Sequence, residues 1–326
     1  MEKMSRQCGP GVVDVIITLL CVAIVAVVLV PQVHAARAVA TRTQCQGRLS
    51  SLGMACHAFA QSRGGFPPRR TGFQNGSPYG GWGPFLLPYV DEPAVAAQYD
   101  FRLDCFDPGN RLMVETELAA FRCPDAPTGR HVVIQSQATA KSRNPDKDSV
   151  FTVRAAVNDF IACNGVLLPR KGYGLHALDA DGGQGNQRQA MSDDAFLPLT
   201  SITDGLGCTL LLIEQAGRPD VWRNGKKHDG GGQFGMSANA RGAWAGWGSI
   251  GFGPSGADGV SAATGDATDC TVNCNNWFGI YGFHHGGAHS LLCDGAVRFV
   301  SPTLSPLTFA YLSNRDDGRL VSAAEF

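Results

Sequence analysis

From Val12 to Val30 the chain is apolar apart from Asp14 and Thr18, and beyond Pro31 the apolar positions thin into a one-sided stripe. Nineteen residues cover roughly 28 Å at 1.5 Å per helical residue, close to the ~30 Å hydrocarbon core of a bilayer. Cys45, Leu49, Leu52, Cys56 and Phe59 then recur at helical spacing, while Gln44, Gln46, Arg48 and Ser51 fall on other faces. Pro31 predicts a kink, and Gly64-Gly65 followed by Pro67-Pro68 predicts the stop. The pattern therefore predicts one long helix over 12–62.

After residue 63 short apolar runs alternate with turn residues. Strands are predicted at 85–90, 132–134, 151–157 and 209–213, with a C-terminal hairpin over 288–300. Asp294-Gly295 reads as a two-residue type I′ turn, which sets Leu292 opposite Val297 and Ser290 opposite Phe299. A short helix at 304–312 and a closing strand at 319–324 follow. Residues 141–149 are charged and predict a solvated loop. Thirteen glycines between 225 and 265 predict irregular chain. The expected fold is α+β: a long N-terminal transmembrane helix packed on a β-rich, pilin-like domain with long Gly-rich loops. Its expected divisions are a basic leader at 1–11, the helix at 12–62 and an exported β-rich domain at 63–326.

Composition narrows the function. Lys and Arg number 27 against 28 Asp and Glu, so no basic field exists to hold a phosphate backbone, and nucleic acid is excluded as a partner. Lys3 and Arg6 precede the apolar run, which predicts a single-pass protein with its N-terminus cytoplasmic and its bulk periplasmic or on the cell surface. A cleavable secretory signal is the alternative, with Val33-His34-Ala35 as its small-residue site. Eleven Cys point to an oxidising compartment with some thiols left over. Cys270 and Cys274 are spaced to close a small loop, Cys8 and Cys21 should stay reduced, and Cys56 and Cys293 read as core residues. Asp14, a carboxylate two residues into the apolar run, either reaches the interface or pairs with a positive group on a neighbouring chain.

The order of motifs resembles the type IV prepilin N-terminus and, more narrowly, an exported prepilin-like family of unknown function found in planctomycetes. Asp14 stands where that family has Glu, Pro31 follows at the family's distance, and Gln32 to Arg37 and Gln44-Cys45 continue the match. Gly65-Phe66-Pro67-Pro68, Trp82 with Leu86-Leu87-Pro88-Tyr89, Phe121-Arg122-Cys123-Pro124-Asp125 and Ile202-Thr203-Asp204-Gly205 resemble further family segments. His284, nine residues before Asp294-Gly295, matches its H-x9-DG signature. The resemblance implies assembly through Asp14 and processing between Gly9 and Pro10, where the family places Phe after the cut. A cut between Gly11 and Val12 is the alternative, and an uncleaved anchor is the third outcome. It also implies a disulfide between Cys45 and Cys123, which occupy the family's recurrent cysteine positions.

Catalytic patterns are absent: there is no Gly-x-Ser-x-Gly, no His-Glu-x-x-His and no phosphate-binding glycine motif. Asp204 and Glu214 flank a predicted strand without needing a catalytic role. No enzyme and no resident metal are assigned. The metal candidates are His285, His289 and Asp294 beside the hairpin. Ca²⁺ held by Asp side chains is the other ion considered, although Asp179-Ala-Asp181 lacks the downstream Glu of a calcium loop. The function expected is that of a membrane-anchored, pilin- or pseudopilin-like structural or surface protein, assembling with like subunits or a secretion machine. The alternative is an extracellular solute- or carbohydrate-binding protein, for which Trp222, Trp244, Trp247 and Trp277 supply candidate stacking surfaces for glycans.

Overall fold

The computed structural model describes residues 11–72, 77–135, 152–163, 188–228, 242–246, 255–261, 269–277, 279–319, 321–322 and 325–326. Gly9, Pro10, residues 141–149, Asp179, Asp181 and Trp247 lie outside them. The described chain falls into two units, divided after Thr43.

The first helix, α1, spans Val12–Arg63 and runs through Pro31. In the first unit its residues are exposed from Val12 to Ala40, valines, leucines and isoleucines included. It is long and apolar enough to cross a membrane, a description that a signal sequence also meets. At its start the Gly11 amide donates to Asp14 Oδ2 at 3.0 Å. The carboxylate thus satisfies an amide that the helix leaves free and sits at the positive end of the helix dipole.

In the second unit the stripe of α1 is buried: Cys45, Leu49, Leu52 and Cys56 have no exposed surface and Phe59 almost none. Each fully buried Leu contributes roughly 1.5–3 kcal/mol. The strands are β1 Arg70–Thr71, β2 Gly80–Gly81, β3 His131–Gln135, β4 Thr152–Ala156, β5 Phe160–Ala162, β6 Leu210–Glu214, β7 Val221–Arg223, β8 Lys226–His228, β9 Ala288–Leu292 and β10 Val297–Val300. Short helices α2 Gly83–Leu86, α3 Pro93–Gln98 and α4 Arg111–Val114 lie between β2 and β3, and α5 Pro306–Ser313 follows β10. The four-stranded sheet has the order β10-β9-β6-β5, antiparallel throughout. One of its faces joins the stripe of α1, with Leu291 so near Gly53 that a Cβ there would stand 2.9 Å from Leu291 Cδ1. The other face joins Phe309 and Leu312 of α5 through Ile213, Leu292 and Val300. The unit is thus a mixed helix-and-strand core with helices on both faces of a small sheet.

Five predicted elements appear close to their expected positions, as β3, β4, β6, the β9–β10 hairpin and α5. Residues 85–90 are not a strand. They form the end of α2 and a 3₁₀ turn, because Pro84 and Pro88 each occupy the first turn, where a missing N–H costs nothing, whereas a ladder would lose a bond. The described residues of 319–324 carry no strand. The stretch 225–265 is not wholly irregular: β8 lies in it, paired with β7 across Asn224-Gly225, whose φ angles of 47° and 76° fit a type I′ turn.

The C-terminal hairpin departs from its predicted register. Leu291 opposes Val297 and His289 opposes Phe299. Only Gly295 of the turn pair takes positive φ, at 90°. Asp294 instead stays at negative φ and accepts the Ala296 amide at 2.8 Å. The Gly295 amide donates to the Leu292 carbonyl and the Leu292 amide to the Ala296 carbonyl, which closes a three-residue loop with Gly in its last position.

Candidate functional site

At the end of β6 an otherwise apolar strand finishes on Glu214, fully buried. The ladder between β6 and β9 shifts by one residue: Leu210 opposes Leu292, but Leu212 opposes Leu291 and Ile213 opposes Ser290. Side chains alternate faces along a strand, so the extra residue at Leu211 moves Glu214 onto the face of His289. There Glu214 Oε2 accepts the backbone amide of His289 at 2.8 Å and lies 3.4 Å from His289 Nδ1.

Three further groups complete the cluster. Tyr281 bridges alongside Gln215, which carries the 281–284 segment past the end of β6 and brings His284 Nε2 to 3.4 Å from Glu214 Oε1. Gly282 permits this approach, since a Cβ there would stand 3.0 Å from Glu214 Oε2. Cys45, the first buried residue of the α1 stripe, donates its thiol to Glu214 Oε1 at 3.7 Å. Cys123 places Sγ 3.4 Å from His284 Nε2 and within hydrogen-bonding reach of the Cys45 thiol. The donor atoms of Cys45, Glu214, His284 and His289 all lie within 4.8 Å of one another, and all four residues are buried.

The supporting shell is ordered too. His284 Nδ1 donates to Asp125 Oδ2 at 2.5 Å, which fixes the ring and aims Nε2 into the cluster. Asp159 accepts two bonds from the Arg130 guanidinium at 2.9 Å each, and also the amides of Cys123 and Gly217. That buried pair ties the Cys123 loop to the chain leaving β6.

Electrostatically, Glu214 and His284 stabilise each other's charge. Burial raises the Glu214 pKa, but bonds with His284 and His289 outweigh it and leave the carboxyl at about 2. Burial lowers that of His284, but bonds to Cys123 and Glu214 take it up to about 10. The Cys123 thiol is pushed up by its bond with Cys45 and by burial. That of Cys45 is lowered by the bond to Cys123 and raised by more through burial and the Glu214 charge. Both cysteines are therefore thiols at neutral pH, which does not suit either to nucleophilic catalysis.

Of the residues singled out in the sequence, Cys45, Cys123, His284 and His289 converge here, the two cysteines as free thiols side by side. His285 and Asp294 do not join them: His285 is exposed, and Asp294 caps its own turn. Glu214 and Asp125 were visible in their motifs without a role, and Asp159 gave no signal. Asp204 accepts the amides of Asp317 and Gly318, fastening the C-terminal segment. Cys270 and Cys274 form a disulfide. Trp244 and Trp277 are buried and Trp222 partly so, its ring edge-on to Phe283. A separate cleft of about 460 Å³ is lined instead by Phe59, Phe85, Tyr89, Phe101 and Phe196, with Arg63 at its edge.

A family described as "Protein of unknown function (DUF1559)" matches residues 34–306. No curated protein and no solved structure matches the chain.

Proposed function

The chain belongs to this family of unknown function, and we propose that it is a membrane-anchored, pilin-like exported protein with a structural or surface role. One observation carries the reading. A single helix, α1, is apolar and exposed over its first turns, and buries a one-sided stripe only from Cys45 onward. The first part suits a bilayer and the second a protein core, which is how a pilin-like subunit uses one helix. Asp14 is the assembly residue: its carboxylate, satisfied by the Gly11 amide in the single chain, exchanges that partner for a cation on a neighbouring subunit.

Mass spectrometry of the native N-terminus tests the anchor. A chain starting at Pro10 or Val12 shows pilin-type processing, and one starting at Met1 a permanent anchor. A start at Ala36 overturns the proposal in favour of a secreted protein. Replacing Asp14 with Ala is expected to leave the fold intact and to reduce recovery of like subunits or secretion components in a membrane pull-down. Unchanged recovery counts against assembly through Asp14.

The aromatic cleft favours a second reading, a solute- or carbohydrate-binding role. Its phenylalanine and tyrosine rings offer flat faces of the kind that stack on sugars. Reproducible micromolar binding on a glycan array, lost in Phe85→Ala, supports this reading.

A further inference from the structure

We propose that Cys45, Glu214, His284 and His289 form a binding site for one divalent transition-metal ion of the zinc class. The geometry fits. Tetrahedral coordination at about 2.0–2.3 Å separates donor atoms by roughly 3.3–3.8 Å, and the four donors here already lie within 4.8 Å of one another. The donor set of one sulfur, two imidazole nitrogens and one carboxylate oxygen suits zinc and its neighbours rather than calcium, which takes oxygen alone.

Two further observations point to a ion in this place. His289 Nδ1 is buried without a hydrogen-bond partner, on a residue only 2% exposed. It stands 3.4 Å from the nearest Glu214 oxygen and is directed into the cluster. His284 is oriented from behind by Asp125 at 2.5 Å, the carboxylate–histidine arrangement that fixes the tautomer and ring of a metal-bound imidazole. Charge also balances: one thiolate and one carboxylate supply two negative charges that a divalent cation neutralises inside a buried site. Binding breaks the Cys45 S–H bond and the His284 Nε2–H bond and releases both protons to solvent, while Nδ1–H stays on Asp125. Cys123 flanks the site without belonging to it, and pairing with Cys45 is its rival use.

The full chain, solubilised in detergent, reduced and freed of metal by chelation, is titrated with Co²⁺ and then Zn²⁺. One equivalent of Co²⁺ is expected to bind with sulfur-to-cobalt charge-transfer absorption, and Zn²⁺ to displace it. Cys45→Ser and His289→Gln are expected to weaken binding by more than about 100-fold, beyond the effect of losing an outer-shell bond. His285→Gln, at an exposed residue outside the cluster, should bind as the parent does. X-ray absorption of the zinc-loaded, unsubstituted chain decides the matter even where a variant fails to fold. One sulfur with three nitrogen or oxygen neighbours supports the site, and a shell without sulfur overturns it. Failure to bind one equivalent overturns it as well, as does a Cys45–Cys123 disulfide in chain taken from its native membrane without reductant.

Discussion

Glu214 and His289 face one another across β6 and β9 only because the ladder slips by one residue at Leu211. Without the slip Glu214 would share a face with Leu210, among the apolar residues that pack against α5. A carboxylate stranded there is far costlier than one matched by the His284 imidazole and the His289 amide. Glu214→Gln is therefore expected to destabilise the chain by about 3–5 kcal/mol, because it removes the fully buried one of the two carboxylates, Glu214 and Asp125, that face the His284 cation. Urea denaturation of the solubilised full chain measures this, and a loss below about 1 kcal/mol would show the pairing to be dispensable.

Asp193 is the hub of a second buried network. Its two oxygens accept four bonds, from Arg69 at 2.6 and 2.9 Å and from Arg70 at 2.7 and 2.8 Å. Asp193→Asn removes the charge that both guanidinium groups share. A loss of about 3–5 kcal/mol is expected, and Asp193→Ala should cost no less. Thermal melting of the two variants checks the order.

The same hub sets an acid limit. Burial raises the Asp193 pKa, but the bonds from Arg69 and Arg70 outweigh it and hold the carboxyl below the usual carboxylate range. A folded-state value below the unfolded one means that the stabilisation is present above the unfolded carboxylate pKa. It is lost as pH falls through the folded value. Melting temperature should therefore decline on acidification below roughly pH 4, and the decline should be shallower in Asp193→Asn.

Two glycines separate backbone need from accident. Gly287 has φ of 156°, and a Cβ there would stand 2.1 Å from the Val300 carbonyl oxygen. Gly287→Ala is expected to destabilise by at least about 1–3 kcal/mol and to loosen the start of the β9–β10 pairing. Gly47 lies in α1, exposed, with nothing within 4 Å of a Cβ. Gly47→Ala should stabilise by about 0.5–1 kcal/mol through helix propensity alone. Hydrogen exchange and melting read both.

Much of this architecture could be read along the chain, and the limits are specific. The stripe from Cys45 to Phe59 was legible because a helix buries every third or fourth residue, and all five positions are buried. β6 was legible because a short apolar run bounded by turns has few other uses. The cluster was only half legible. Cys45, Cys123, His284 and His289 drew notice for their chemistry, but the partner of both histidines, Glu214, depends on a bulge that leaves no mark on side-chain order. Asp294 drew notice by its nearness to His289 in sequence, yet a turn carboxylate is consumed by its own backbone. The missed β7–β8 hairpin was signalled by Asn224-Gly225, hidden at the edge of a glycine-rich tract.

The cluster joins residues 169 apart in the case of Cys45 and Glu214, and 161 apart in the case of Cys123 and His284. Synthesis delivers Cys45 early and His289 near the end. A nascent polypeptide halted short of Tyr281 lacks both histidines, so Glu214 has neither the His284 imidazole nor the His289 amide to meet. Maturation thus waits on the end of the chain: His284 and the residues after it close what the opening helix began.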